Sequence, residues 1–179
     1  MRLILASASP RRVALLDEAG VEFDQQPANV DESPRPGESP EAYVSRLAEA
    51  KARASWRPGC RSLGADTIVT LDGVILGKPR DPTEARVMLR HLSGRSHEVL
   101  TGVAVFDGNR CSRACERTEV RFRDLADSEI DAYVASGEPM DKAGSYAIQG
   151  GASAFVRELA GSFSNVVGLP VSRVLGMLR

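Results

Sequence analysis

Asp66 lies among Leu63, Ala65, Ile68 and Val69 with no basic residue beside it in sequence. Aspartate is poor in strand interiors and costly to bury unpaired. It therefore needs a metal, a cation from elsewhere in the chain, or a solvated cleft. A second chemical feature is Ser7-Ala8-Ser9-Pro10-Arg11-Arg12. Ser9 suits a helix N-cap and Pro10 suits the first helical position. Two hydroxyls, two guanidinium groups, the free N–H donors of a first helical turn and the positive end of its dipole then meet where a strand hands over to a helix. Such a place holds phosphate. Consecutive arginines there oppose the dipole unless an anion joins them. The third feature is the rarity of lysine. Of 23 basic residues, only Lys51, Lys78 and Lys142 are not arginine, which marks three points where a compact ammonium is wanted.

Arg11, Arg12, Lys51, Lys78 and Lys142 as cations, with Glu32, Asp66 and Asp141 as acids, give the composition of a polyphosphate site. In such a site carboxylates hold Mg²⁺ while lysines and arginines hold phosphate oxygens. The chain has neither a Walker A sequence nor a GxGxxG, which argues against an ordinary P-loop enzyme. An aspartate-nucleophile phosphatase of the haloacid dehalogenase kind would carry a second aspartate two residues after Asp66, where Ile68 stands.

The elements that must position these residues follow from periodicity and punctuation. A buried strand is expected at 3–7, and a helix at 11–19 with Val13, Leu15 and Leu16 inward and Gly20 as its stop. A strand at 21–28 leads to a polar, proline-rich loop at 31–38. Ser39-Pro40-Glu41 starts a helix running to about residue 56, with Tyr43, Leu47, Ala50 and Ala54 as its buried face and Lys51 beside that face. A strand at 62–71 turns at Asp72-Gly73 into an antiparallel return at 74–76. Asp81 caps a helix that buries Ala85, Met88, Leu89 and Leu92 and stops at Gly94. His91 and His97 have no partner at metal spacing, so structural or surface roles are expected of both. Strands at 98–106 and 113–122 join around Asp107-Gly108-Asn109, and Asp127 caps a helix through Ala135. Residues 140–151 read as a glycine-rich loop that lets backbone approach a ligand. A strand at 154–159 and a helix from Pro170, with Val171, Val174 and Leu175 inward, complete the chain.

At 179 residues and 42% hydrophobic content, the chain has enough apolar material for one domain spanning 1–179, with room for two lobes. A net charge of −1 gives no global field toward nucleic acid or a membrane surface. Cys60, Cys111 and Cys115 cannot all pair, and none sits in a CxxC, which points to a reducing cytoplasm. The apolar run in the opening MRLILASASP is too short for a signal peptide, and no stretch reaches transmembrane length.

Six strings in register carry a resemblance. Ser7-Ala8-Ser9-Pro10-Arg11-Arg12, Gly64-Ala65-Asp66-Thr67, Gly77-Lys78-Pro79, Asp141-Lys142-Ala143-Gly144, Ile148-Gln149-Gly150 and Asn165-Val166-Val167-Gly168-Leu169-Pro170 look like the Maf family of nucleoside triphosphate pyrophosphatases, once described as septum formation inhibitors. The resemblance implies an α/β fold with a mixed, twisted sheet, flanking helices and two lobes around a central cleft, similar to inosine triphosphate pyrophosphatases. It implies hydrolysis of a nucleoside triphosphate to monophosphate and pyrophosphate, a divalent cation (Mg²⁺, with Mn²⁺ or Co²⁺ as substitutes) and a homodimer. Carried over by position, Asp66 matches the catalytic proton acceptor. Arg12, Thr67 and Gln149 match positions linked to base or substrate choice, and Lys51, Lys78 and Glu32 match positions lining the phosphate and metal site, with Asp66 and Glu32 as metal ligands. Ser7, Ser9, Arg11 and Lys142 complete the substrate-binding set, Arg11 toward phosphates and Arg12 toward base or sugar. The Ile-Gln-Gly string resembles the branch acting on dTTP and UTP, and an amide's donor and acceptor complement the O4 and N3–H edge of thymine or uracil. Ala147 stands where the family often has glycine, and Ser162-Phe163 where Asp-Tyr is common. The competing readings are a non-catalytic nucleotide-binding regulator of cell division and a phosphatase that releases phosphate.

Overall fold

A computed structural model describes residues 1–179. Strand β1 (Arg2–Leu5) leads into helix α1 (Pro10–Glu18), and strand β2 (Phe23–Gln25) follows, paired parallel to β1 with Leu3 opposite Phe23. Helix α2 (Pro40–Ser55) precedes the long strand β3 (Cys60–Leu71), which pairs parallel to β1 on its other side. Asp72 and Gly73 both adopt positive φ, at 53° and 78°, and turn β3 into the antiparallel β4 (Val74–Leu76). Helix α3 (Pro82–Leu92), strands β5 (Ser96–Phe106) and β6 (Cys111–Phe122), helix α4 (Asp127–Ala135), strand β7 (Val156–Ala160) and helices α5 (Phe163–Val167) and α6 (Val171–Leu178) complete the order. The seven strands make one mixed sheet in the order β2-β1-β3-β5-β6-β7, with β4 on β3. No helix is long and apolar enough to cross a membrane.

The chain divides into two compact units. The first comprises residues 1–67, 100–116 and 164–179, and the second comprises 68–99 and 117–163. In the first, Leu5, Leu16, Val44, Leu47, Ala48, Ala52 and Leu63 are fully buried. Two glycines decide how α2 lies there. A Cβ on Gly64 would come within 2.0 Å of the Ala48 carbonyl oxygen, and one on Gly102 within 2.4 Å of the Val44 carbonyl oxygen, so the helix backbone rests directly on β3 and β5. The buried face of α2 is accordingly Val44, Leu47, Ala48 and Ala52. The expected face differs: Ala54 is exposed and Tyr43 only half-buried, because the helix is rotated to put its small residues on the glycines. The second unit is built on an aromatic cluster of His97, Phe122, Tyr133, Tyr146 and Phe155, with ring centroids 4.9–6.0 Å apart in edge-to-face contacts.

Punctuation holds where expected at Ser39 and Asp81, whose side chains accept the N–H of Ala42 and Glu84. Elsewhere it shifts. Ser9 occupies the N-cap position without a side-chain cap, and the Ser9 N–H donates instead to the Ser7 hydroxyl. Asp127 is the first residue of α4, and Glu129 reaches back to the N–H of Ala126. Met88 is half-buried, and of the C-terminal helix only Val174 is buried. The stretch expected as an open glycine-rich loop is folded as short 3₁₀ turns at Glu138–Asp141 and Ala143–Ser145, with residues 144–148 buried.

Candidate active site

Strand alternation puts Gly64 and Asp66 on one face of β3, the face on which α2 rests. With no side chain at position 64 to hold it off, α2 brings Lys51 to Asp66. The Lys51 ammonium lies 2.7 Å from Asp66 Oδ1 and 2.7 Å from Glu32 Oε1. The cation that Asp66 requires is therefore Lys51. Burial raises the Asp66 pKa above the ordinary aspartate value, and Lys51 is the main influence opposing that rise, followed by Arg12. A carboxylate that is desolvated yet kept charged by one ammonium is a strong proton acceptor.

Glu32 reaches Lys51 because its loop is tied to α2. The Tyr43 hydroxyl donates to the Glu32 carbonyl at 2.8 Å, and Arg46 donates to both Glu38 oxygens at 2.6 and 2.7 Å and to the Ser33 carbonyl at 3.1 Å. The proline-rich segment is thus a strap across the helix.

At the other end of the site, Arg12 projects from the first turn of α1. Its Nε donates to the Gly168 carbonyl at 2.8 Å, Nη1 to the Ser7 hydroxyl at 3.1 Å and Nη2 to the Thr67 hydroxyl at 3.0 Å. Three of its five N–H donors are spent on the chain and two remain. Burial lowers its pKa, Asp66 opposes that, and the charge of Arg11 beside it adds to the lowering. Two guanidinium groups that repel each other at a helix N-terminus favour an anion between them and solvent.

Thr101, on β5, is absent from the sequence reading. Its hydroxyl is fully buried, 2.9 Å from that of Thr67 and 3.1 Å from the Asn165 carbonyl, to which it donates. Since Thr101 spends its one proton on Asn165, Thr67 accepts from Arg12 and has its own proton for Thr101 or for the Gly168 carbonyl 3.3 Å away. The available signal was a lone hydroxyl, followed by Gly102, in the apolar run Val99 to Val105.

The first unit thus brings together Ser7, Arg12 and Thr67, and separately Glu32, Lys51 and Asp66, with Ser9 and Arg11 at the start of α1. Lys78, Lys142 and Gln149 belong to the second unit. There the Gly144 N–H donates to the Gly77 carbonyl at 3.1 Å, which joins the strings containing Lys142 and Lys78, and Lys142 pairs with Asp141. Lys78 and Gln149 are exposed.

No group of three or more His, Cys, Asp or Glu side chains is placed to hold a metal. Asp66 and Glu32 nevertheless share one cation, Lys51, so their oxygens converge on a common region. Two carboxylates suit a hard cation that takes its remaining ligands from substrate phosphates and water, and do not suit an all-protein cage.

Residues 2–179 match the Maf family, described as Maf-like protein. A dTTP/UTP pyrophosphatase of Geobacter sp. (strain M21) is 54% identical over 181 residues, covering 99% of this chain and 94% of the relative. That of Anaeromyxobacter dehalogenans (strain 2CP-C) is 55% identical over 183 residues, covering 99% and 93%. Among solved structures, a HAM1 protein from Coxiella burnetii superposes with a TM-score of 0.54 over 99% of this chain and 98% of its own, at 16% identity, a likeness of fold alone. With the match running from residue 2 to the end and half of all residues shared with curated relatives, the chain belongs to the Maf family.

Proposed function

We propose that this chain is a nucleoside triphosphate pyrophosphohydrolase acting on dTTP and UTP, or modified pyrimidine triphosphates, to give the monophosphate and pyrophosphate. The observation that carries the chemistry is the Asp66 carboxylate, only 13% exposed and held at 2.7 Å by Lys51. The identity with relatives named dTTP/UTP pyrophosphatase supports the substrate.

In this reading water attacks the α-phosphorus and its proton passes to Asp66. The bond from the α-phosphorus to the bridging oxygen breaks, and pyrophosphate leaves with that oxygen. Lys51 and Arg11 stabilise charge on the phosphates, while Arg12 orients the nucleotide with the two donors it has left. Ser7 and Ser9 line the same helix start. Asp66 and Glu32 would hold a divalent cation shared with the triphosphate, Mg²⁺ or in its place Mn²⁺ or Co²⁺. Bound there, such an ion neutralises phosphate charge and polarises the phosphoryl group. Lys78 and Lys142 as further phosphate ligands, Thr67 and Gln149 as selectors of substrate, a cytoplasmic location and a homodimer enter through the family resemblance.

The test is a panel of nucleoside triphosphates incubated with Mg²⁺, Mn²⁺ or Co²⁺, with pyrophosphate and phosphate measured separately. Pyrophosphate release fastest from dTTP and UTP is expected. Phosphate release would favour a phosphatase, and tight binding without turnover would favour a nucleotide-binding regulator.

A further inference from the structure

His97 and Tyr146 make a contact that the reaction above does not use. His97, on β5, is 2% exposed, and its Nε2 lies 2.7 Å from the Tyr146 hydroxyl. Its ring meets Phe122 and Tyr146 edge-on at 4.9 and 5.3 Å. Its Nδ1 is buried with no hydrogen-bond partner. A buried orphan of this kind destabilises a fold. Burial also lowers the imidazole pKa from 6.5 to about 4, so the ring is neutral near pH 7. A phenylalanine would occupy the same aromatic cluster with no orphaned atom. What the imidazole adds is its hydrogen bond to Tyr146.

Tyr146 is the middle residue of the buried run 144–148, which ends at the exposed Gln149. The run begins with two left-handed residues, Gly144 at φ 67° and Ser145 at φ 62°. A non-glycine residue holds that conformation only where its surroundings enforce it. Four successive residues each make one polar contact with a different part of the second unit. The Gly144 N–H donates to the Gly77 carbonyl at 3.1 Å, and the Ser145 hydroxyl lies 3.0 Å from Met88 Sδ. Tyr146 meets His97, and the Ala147 N–H donates to the Tyr133 hydroxyl at 3.1 Å. The path to Gln149 is therefore set by these contacts together with two short turns, the 3₁₀ turn Ala143–Ser145 and the one closed by the Gly150 N–H on the Ala147 carbonyl at 3.1 Å, with no strand ladder to set it. The placement matters because a freely turning amide complements uracil and cytosine edges alike, and choosing between them requires its orientation to be held.

We infer that His97 is a positioning residue that, through Tyr146, fixes residues 144–148 and so the placement of Gln149, which makes it a determinant of base selectivity; this rests on the pyrophosphatase reading above. His97 itself touches no substrate. The variant that separates positioning from stability is the double replacement His97→Phe with Tyr146→Phe, which removes both polar partners and leaves no orphan. It is expected to unfold at or above the wild-type temperature while the ratio of kcat/KM for UTP to that for CTP falls roughly 10-fold. His97→Gln, whose amide nitrogen can stand in for Nε2, is expected to keep most of the wild-type ratio. A double variant with the wild-type ratio overturns the inference, as does one whose only change is a lower unfolding temperature. Amide hydrogen exchange across residues 144–149 reads the same proposal without turnover. Faster exchange in the double variant supports it and unchanged exchange overturns it, even if wild-type protein releases no pyrophosphate from UTP, which would count against the reaction alone.

Discussion

Around Asp66, position is held by charge: one ammonium between two carboxylates, and a guanidinium with three of its donors committed, with Lys51, Asp66 and Arg12 on regular helices and strands and Glu32 on the strapped loop. Around Tyr146, position is held by neutral contacts, with hydroxyls, an imidazole and backbone N–H groups fixing a segment of 3₁₀ turns. The difference teaches where each region is sensitive. A charged cluster tunes proton affinity and so responds to pH through its chemistry. A neutral cluster fixes shape, and titrates only when its imidazole is forced to accept a proton.

The comparison is most directly broken at Asp66. Asp66→Asn keeps the shape and removes the proton acceptor, and kcat is expected to fall by about 10³-fold with the unfolding temperature nearly unchanged. Steady-state kinetics beside thermal melting measure both. Lys51→Met comes next, with turnover down about 10²-fold. In that variant burial and Glu32 continue to raise the Asp66 pKa while the main opposing charge is gone. Because Asp66 works as the ionised base, the acid limb of kcat/KM moves to higher pH, which a pH–rate profile reads directly.

Gly64→Ala tests whether the charged site depends on how α2 rests on β3. Its Cβ would meet backbone atoms of Ala48 and Ala52, so a loss of about 2 kcal/mol is expected in denaturant titrations, together with reduced turnover as Lys51 shifts. Thr101→Val tests the hydroxyl chain behind Arg12. A loss of about 1 kcal/mol and a raised KM are expected, while Thr101→Ser retains the KM. The last test sharpens the neutral side. His97 binds a proton more readily unfolded than folded, so its contribution to stability is present above pH 6.5 and is lost as pH falls toward about 4. The double phenylalanine variant should lose that slope, as seen by melting between pH 7 and 4.

Much of the fold was legible because its signals are local. Ser39 and Asp81 cap as read, Asp72-Gly73 turns as read, and the strands end within a few residues of the expected places. The isolation of Asp66 among apolar residues also announced that a cation must come to it. What escaped was set at a distance. The rotation of α2 depends on Gly64 and Gly102, whose meaning appears only when a helix lies on them. Helix α5, at five residues, is too short to show a period. Ser9 stands at the N-cap position yet makes no side-chain cap, and glycine content does not reveal that residues 144–148 are buried. Thr101 gave one signal, a polar residue in an apolar strand, and His97 gave none beyond its lack of a metal partner.

The direct seat of α2 on β3 has a mechanical consequence. Where side chains separate a helix from a sheet, their rotamers yield, and the gap absorbs changes in core volume. Where backbone meets backbone, the spacing is set by atoms with almost no compliance. The span from α2 to β3, and with it the distance from Lys51 to Asp66, then behaves as a stiff ruler. Substitutions among the larger core residues of the first unit should alter melting while leaving that ion pair, and the proton affinity it sets, where they are.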